Sequence, residues 1–464
     1  ISVSVQRALF VSALLLGLAI RLGILSHTAD LSPKIADELQ YTQLAHSLVQ
    51  GAGFAWANGQ PTSLRPPLYP ATVAAIWSVG RAPSVQAVRA VQIFISLITA
   101  LLVLDLGRRC FNARVGMFAA AVTWLYPEFI YLDFLLLTET LFTFFLVAYV
   151  LLSVMLVERP GPWLALACGV VLGLGTLTRS VLWPMPLLLC PALVLVVRGN
   201  IGKRLLIPAL VLLGVVVAVA PWAVRNTRLQ GVVTIVDTMG GMNLRMGNYE
   251  YTPEDRMWDA VSLNGEQSWV YALTQEQAAG LAPREITEGM KDKWAQRKAI
   301  EYIKTHPAIT ARRSAIKFAD LWGLERSFIA GVQQGLYAPP TWFTALVFAL
   351  MTISFVGVAL VGFAGIWMAP PDWRRHVLLL LPVLLVTAIH TLVFGHSRYH
   401  LPLIPILAIY AAALWSRGVR VALKQRGAGR AAAIVSALLL IAIWVRQIVV
   451  VDADRVRALL SRFL

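Results

Sequence analysis

The sequence predicts an all-α polytopic membrane protein. Hydrophobic residues make up 58% of the 464-residue chain and charged residues only 14%, whereas soluble domains carry about 25% charged residues. Apolar runs of about 17 to 25 residues, the length that spans a bilayer, recur along the whole chain. About eleven transmembrane helices are therefore expected, with spans near 8–25, 86–106, 115–135, 139–157, 163–178, 181–198, 204–223, 341–367, 377–394, 400–416 and 431–450.

The positive charge of the chain indicates membrane topology. The formal charge is +16, and Lys and Arg cluster in short connections between apolar runs. This placement is typical of cytoplasmic loops. The chain has no basic run interleaved with aromatic residues of the kind that would predict binding of nucleic acid. The basic loops all lie on the cytoplasmic side only if the apolar segment 68–80 does not cross the membrane. Because a piece of about thirteen residues is short for a span, we predict a juxtamembrane helix there.

The same pattern divides the chain into three parts. An N-terminal transmembrane module covers 1–225 and includes a first outer loop at 26–85, and C-terminal transmembrane helices cover 341–464. Between them, 226–340 is far longer than an ordinary connection and too polar to span, so we expect a long outer loop before the eighth helix. Its part 283–322 alternates charged and apolar residues at helical spacing and is predicted to pack as helices on the membrane face.

Acidic residues stand at the start of two predicted helices on the outer side. Asp37 and Glu38 are adjacent, so their side chains diverge by about 100° on a helix. One can face a site while the other serves the helix start, and the alternative is that both only serve the helix N-terminus. Glu139 begins an apolar helix, where acids usually face a cavity. We predict a functional Glu139 and a capping Asp133, although the spacing leaves open which of these two is the second functional acid.

Arginines on the outer face run against the topological bias. A bound anion accounts for them, since guanidinium groups pair with phosphates through several hydrogen bonds, whereas a single such arginine would more often reach to lipid phosphate. The five arginines are Arg21, Arg65, Arg179, Arg225 and Arg398.

A metal site is not expected from the sequence. The three cysteines lie in or beside apolar runs, and Gly395 and Pro402, on either side of His396 and His400, leave little regular helix there. The alternative is a divalent cation that bridges acids and a phosphate.

Several motifs occur in a fixed order across roughly residues 8 to 415. They are ADELQYTQLAHSLVQGAGF, RPPLYP, TETLFTFF, LTRS, PWAVRN with MGGMNLRMGN behind it, and SRYHLPLIP. Together they resemble the polyprenyl-phosphate-sugar-dependent glycosyltransferases of the GT-C fold. That group includes bacterial protein O-mannosyltransferases and the aminoarabinose transferase of lipid A.

The resemblance implies a multi-pass enzyme of the bacterial inner membrane with its active site on the outer face. It implies inverting transfer of a sugar from a polyprenyl monophosphate carrier to a hydroxyl of a glycolipid, wall polymer or protein, without a cofactor. The implied catalytic residues are Asp37 and Glu139, the latter at a position where the family often has Asp. The predicted substrate-binding residues are Glu38, Arg65, Arg179, Arg225, Asn226, Arg398 and Tyr399. The alternative function is a transporter or flippase of a lipid-linked sugar or another anionic lipid, although no internal repeat of the kind common in transporters is visible.

Overall fold

The computed structural model describes residues 3–28, 31–254, 257–418, 427–453 and 457. Within these ranges the regular elements are helical, apart from one isolated bridge between Ala55 and Pro61. The predicted all-α class is confirmed. Each of the three predicted parts includes positions outside the described residues, and their boundaries stay a prediction.

The helices are numbered in chain order. They are α1 (Val3–His27), α2 (Ala36–Val49), α3 (Leu68–Gly80), α4 (Val85–Cys110), α5 (Ala113–Leu125), α6 (Pro127–Leu132), α7 (Glu139–Glu158), α8 (Pro162–Thr178), α9 (Met185–Val196), α10 (Ile201–Gln230), α11 (Gly240–Met246), α12 (Tyr271–Ala278), α13 (Glu288–Thr305), α14 (Pro307–Leu321), α15 (Ser327–Gln333), α16 (Thr341–Met368), α17 (Trp373–Leu392), α18 (Ile404–Arg417) and α19 (Ala428–Arg446). Short 3-10 turns lie at Ser180–Leu182, Met257–Ser262, Gly265–Gln267 and Ser397–Leu403, and a π-helical turn, Gln447–Val451, follows α19.

In the described part of the chain, eight helical segments are long and apolar enough to cross a membrane. They are α1, α4, α7, α10, α16, α17, α18 with the 3-10 turn before it, and α19 with the turn after it. Four shorter apolar helices, α3, α5, α8 and α9, accompany them. A polytopic membrane protein is therefore confirmed, while the predicted count of eleven spans stays a prediction.

The predicted span 115–135 is broken in the structure. Proline disfavours a helical backbone at the residue before it, and Tyr126 accordingly leaves the helix with φ −64° and ψ 119°. Pro127 then opens the six-residue helix α6. The chain turns through Asp133 and re-enters the bundle at Glu139, so the break puts both acids at the mouth of α7.

Helix α3 has 13 residues. At 1.5 Å per residue this is about 20 Å, against about 30 Å for the hydrocarbon core of a bilayer. It packs on α2, with the rings of Tyr41 and Tyr69 in edge contact at 5.2 Å and those of His46 and Trp77 at 4.7 Å. The length agrees with the predicted juxtamembrane helix, and its depth in the membrane stays a prediction.

One end of the bundle is joined by surface ion pairs. Arg109 donates to Asp105 on α4 at 2.7 Å and also pairs with Glu158 at the end of α7. Arg375, at the start of α17, donates to the same Glu158 at 3.2 Å. The basic connections on either side of these helices therefore meet at one end, as the charge pattern predicts.

The other end carries α2, α3 and the long segment after α10. Helix α10 runs on to Gln230, past the predicted boundary at 225. The predicted helical stretch 283–322 is confirmed as α13 and α14. Part of the segment has a small apolar core of its own, formed by Met246, Tyr249, Ala260, Trp269, Leu273, Trp294 and Ala295.

Close packing of α8 against α10 sets the position of the turn that follows α8. A Cβ atom at Gly169 would lie 1.9 Å from the carbonyl oxygen of Val211, and one at Gly214 would lie 2.4 Å from that of Leu166. Small residues let helix backbones approach in this way. The turn that begins at Arg179 is thereby held beside the start of α7.

Candidate active site

Five of the predicted site residues form one connected network. Arg65 donates to Oδ1 of Asp37 at 2.6 Å, and Arg398 donates to Oδ2 of the same carboxylate at 3.2 Å. Arg398 also forms an ion pair with Glu139, with Nε 2.8 Å from Oε1, and Arg179 donates to that oxygen at 3.0 Å. Residues from α2, the loop before α3, the start of α7, the end of α8 and the 3-10 turn before α18 therefore converge on one place.

The two adjacent acids of α2 diverge as the helix geometry predicts. Oε2 of Glu38 accepts hydrogen bonds from the backbone N–H groups of Lys34 and Ile35, each at 3.0 Å. Oε1 accepts from the N–H of Leu136 at 2.8 Å, and the residue is 3% exposed. Glu38, predicted to bind substrate, thus caps α2 and fastens it to the turn before α7, outside the network. This anchoring leaves Asp37 facing the arginines.

Asp37 and Arg65 are further fixed by their neighbours on α2. Nε of Arg65 donates to the side-chain oxygen of Gln40 at 2.8 Å, and its guanidinium lies 5.5 Å from the centre of the Tyr41 ring. Burial opposes the charged form of Asp37, but Arg65 and Arg398 together outweigh it and hold the pKa of that carboxyl below its ordinary value. Asp37 is therefore a paired carboxylate at neutral pH.

Arg398 and Tyr399 lie in the 3-10 turn, as adjacent residues with separate contacts. The N–H of Arg398 donates to Nδ1 of His396 at 3.1 Å, which caps the turn. The ring of Tyr399 stacks on His390 at 4.2 Å and lies 5.1 Å from the guanidinium of Arg179. Tyr399 thus packs against one arginine of the network without joining its ion pairs.

His400 is engaged in packing. Its Nδ1 lies 2.7 Å from the carbonyl oxygen of Leu321, and its ring stacks against Phe355 at 4.3 Å and Trp322 at 5.8 Å. Across the described residues, no group of three or more His, Cys, Asp and Glu side chains is arranged to hold a metal ion.

Arg225 and Asn226, predicted to bind substrate, lie outside the network. Arg225 donates to the carbonyl oxygens of Thr62 at 2.6 Å and Phe54 at 3.1 Å. Asn226 is fully buried and accepts a hydrogen bond from the Ser63 hydroxyl at 2.9 Å. Both side chains hold the loop that leads into Arg65, which the spacing of residues along the sequence does not reveal.

Arg21 and Asp133 form a separate, fully buried pair at 2.7 Å. The Arg21 guanidinium lies 3.8 Å from the centre of the Trp124 ring, and the Ser96 hydroxyl donates to Oδ1 of Asp133 at 2.5 Å. Of the two acids between which the sequence left the choice open, Glu139 is the one that joins the arginine network.

Two residues near the network were missed from the sequence. Gln40 lies three residues after Asp37 on the same helix, and this spacing places the two on one face. Asp237, in the connection after α10, is close enough to interact electrostatically with Arg65. No local pattern marks Asp237, because its position depends on how that connection folds back over the loop before α3.

Part of the chain matches a known family. Residues 64–224 match the family model described as dolichyl-phosphate-mannose-protein mannosyltransferase. The matched stretch contains Arg65, Glu139 and Arg179, which are three of the five network residues. No curated protein matches the chain.

Solved structures of low sequence identity are similar to this one. The archaeal oligosaccharyltransferase AglB from Archaeoglobus fulgidus, in complex with an inhibitory peptide and a dolichol-phosphate, is 14% identical with a TM-score of 0.48, over 97% of this chain and 56% of that one. The chain thus spans about half the length of AglB. ArnT from Cupriavidus metallidurans, bound to undecaprenyl phosphate, is 15% identical with a TM-score of 0.41, over 88% of this chain and 79% of that one.

The family match and the sequence motifs agree with each other. The description of the family names a sugar on a dolichyl phosphate, the motifs resemble enzymes that use a sugar on a polyprenyl phosphate, and the matched stretch runs from the loop before α3 into α10. The resemblance of this chain to the polyprenyl-phosphate-sugar-dependent glycosyltransferases is thereby confirmed, with residues 64–224 matching the mannosyltransferase family.

Proposed function

We propose that the chain is an inverting glycosyltransferase that moves a sugar from a polyprenyl monophosphate carrier to an acceptor hydroxyl. The observation that carries the proposal is the single network of two carboxylates and three arginines at one end of a helical bundle. The basic connections lie at the other end, which supports an active site on the outer face of the bacterial inner membrane.

The charge of the network suits a carrier phosphate. Arg65, Arg179 and Arg398 outnumber Asp37 and Glu139 by one positive charge. A sugar joined to a polyprenyl phosphate is a phosphodiester with a single negative charge, and guanidinium groups bind phosphate oxygens through paired hydrogen bonds. When the sugar leaves, the carrier phosphate gains a second charge, and the same donors stabilise it as it forms.

Asp37 is suited to accept the proton of the acceptor. An alcohol has a pKa far above that of a carboxyl group, so the base must act while the new bond forms. The acceptor oxygen attacks the anomeric carbon opposite the phosphate, the bond to the carrier oxygen breaks with its electron pair, and the proton passes to Asp37. Carrier phosphate competes for Arg65 and Arg398, and this competition frees Asp37 from the pairs that lower its pKa.

Glu139 has a different place in the proposal. Its Oε1 is shared between Arg179 and Arg398, while Oε2 is buried without a hydrogen-bond partner. A buried acceptor atom of this kind is costly unless something donates to it. We assign Oε2 to a hydroxyl of the bound sugar, and Oε1 to holding the two arginines at the spacing that a phosphate needs.

The remaining predicted residues support the site from outside. Glu38 positions α2, and Arg225 with Asn226 positions the loop before Arg65. The connection after α10 reaches the same loop, since the N–H of Thr238 donates to the carbonyl oxygen of Ser63 at 3.0 Å. The long segment that begins there is the natural wall of the acceptor side, where a glycolipid, a wall polymer or a protein would present its hydroxyl.

The test uses the purified full chain in lipid vesicles. A panel of labelled polyprenyl-phosphate sugars is enclosed on one side, together with lipid and protein acceptors from an envelope extract. Cleavage of the sugar from its carrier and its appearance on an acceptor support the proposal. Movement of the intact lipid-linked sugar to the other leaflet without cleavage would instead establish the flippase alternative.

A further inference from the structure

Asp237 is a third carboxylate beside the network. It lies half-buried in the connection between α10 and α11, and its Oδ1 accepts a hydrogen bond from the N–H of Met239 at 3.1 Å. Ser180, the residue directly after Arg179, lies close enough to this carboxyl to favour its charged form. Arg65 is close enough to interact with it electrostatically. Asp237 therefore stands near Arg65 and near the turn that begins at Arg179.

The segment that carries Asp237 is firmly held. The carbonyl oxygen of Val236 accepts from the indole N–H of Trp222 at 2.8 Å and from the amide of Asn226 at 2.9 Å. On the other side of Asp237, the fully buried Thr238 donates its N–H to Ser63 at 3.0 Å. Because Ser63 is two residues before Arg65, one set of hydrogen bonds fixes Asp237 and Arg65 relative to each other.

The two carboxylates near Arg65, Asp237 and Asp37, have pKa values shifted in opposite directions. Burial raises the pKa of Asp237 to about 6, although Ser180 and the N–H of Met239 favour its charged form. The charged side chains that act on it are Arg65 and Asp292, the latter raising its pKa further. Asp37, in contrast, has a lowered pKa. Divergent carboxyl pairs of this kind mark groups with different roles in one site.

We propose that Asp237 is a positioning residue of the transfer reaction that acts through Arg65, an inference that rests on the proposed function. When carrier phosphate takes the place of Asp37 on Arg65, Asp37 becomes free to receive the acceptor proton. Ionised Asp237 then remains as the anionic neighbour that holds the Arg65 guanidinium toward the phosphate. Protonated Asp237 no longer provides that hold, so carrier binding weakens.

The experiment measures sugar transfer by the full chain between pH 5 and pH 8. In the wild type we expect kcat/KM for the carrier-linked sugar to fall about tenfold as pH drops through about 6, mainly through KM, the size expected for one charge-assisted contact. Asp237→Asn should give the low value at every pH, and Asp237→Glu should restore the pH dependence. Asp105→Asn is the matched control, because Asp105 pairs with Arg108 and Arg109 at the opposite end of the bundle, away from the site.

Two outcomes separate this inference from the function on which it rests. If Asp237→Asn keeps the wild-type fall below pH 6, the inference is overturned while the transfer activity stands. If the wild type transfers no sugar, the proposed function fails. The role of Asp237 is then tested by binding of a polyprenyl phosphodiester, because the charge of a diester does not change between pH 5 and pH 8. Wild-type binding that is about tenfold weaker at pH 5 than at pH 8, with no such change in Asp237→Asn, supports the Asp237 assignment; an equal change in both overturns it.

Discussion

Replacement of Arg398 tests how the network acts on the carrier. Of the three arginines in the network, this one pairs with both acids, with Oδ2 of Asp37 and with Oε1 of Glu139. Arg398→Lys keeps the positive charge but lacks the planar fork that reaches two partners at once. Arg398→Gln removes the charge as well, so Oδ2 of Asp37 loses its arginine partner and Oε1 of Glu139 keeps only Arg179.

The expected losses follow from these contacts. A hydrogen bond to a charged group contributes about 1.5–3 kcal/mol. Loss of one such contact in Arg398→Lys predicts a fall in kcat/KM of about 10- to 150-fold, and loss of two in Arg398→Gln predicts about 10²- to 10⁴-fold. The larger effect in Arg398→Gln is expected in donor KM as well as kcat, because a phosphate contact is lost before and during the reaction.

The assay is sugar release from a polyprenyl-phosphate donor by each purified variant, with the thermal unfolding midpoint measured alongside. Arg108→Gln is the control, because Arg108 pairs with Asp105 at the opposite end of the bundle and its side chain is 57% exposed. If Arg398→Gln unfolded like the wild type and kept kcat/KM within about threefold, the arginine network would not be the carrier site.

Two further predictions concern the parts that hold the site. Arg225→Ala removes the donors to Thr62 and Phe54 and should lower the free energy of unfolding by about 2 kcal/mol, measured as a lower thermal midpoint. The carrier affinity of the protein that remains folded should change little. A loss of carrier affinity without a loss of stability would instead place Arg225 on the phosphate. Burial lowers the pKa of Lys317, whose ammonium donates to Asn248 and to the carbonyl oxygen of Leu392, from 10.5 to about 7. Between these values the unfolded chain binds the proton and the folded chain does not, so raising the pH from 7 to 10 should stabilise the wild type relative to Lys317→Met, and parallel stability curves for the two would contradict the shift.

The convergence of the five network residues could be predicted because it depends on topology. Apolar length and the distribution of Lys and Arg determine at which end of the bundle each connection lies. Asp37, Glu139 and Arg398 are far apart in the sequence, yet each stands at a helix end on the same side, and the structure places them in contact. An acid or arginine at such an end has few partners other than its neighbours there.

The division of labour among these residues could not be predicted, because it depends on local hydrogen bonds. Glu38 and Asp37 are equivalent in the sequence until the backbone of Leu136 is seen to bind one of them. Arg225 follows the same charge pattern as Arg65, but its guanidinium reaches the carbonyl oxygens of an adjacent loop. The sequence did not predict Asp237 for a related reason. The fold of the connection after α10 brings it near Arg65, and no sequence motif marks it.

The most direct measurement compares the wild type with Asp37→Asn and Asp105→Asn in the conversion of a polyprenyl-phosphate sugar to polyprenyl phosphate and glycosylated acceptor. Asp105 is an acid of similar pairing at the opposite end of the bundle and serves as the control. The wild type and Asp105→Asn should transfer sugar at the same rate, each forming one polyprenyl phosphate per glycosylated acceptor with the sugar linkage inverted. Folded Asp37→Asn should be slower by about 10²-fold or more, the usual contribution of a general base. Near wild-type transfer by folded Asp37→Asn would show that the acceptor proton goes elsewhere and would contradict the assignment of the network as the catalytic site.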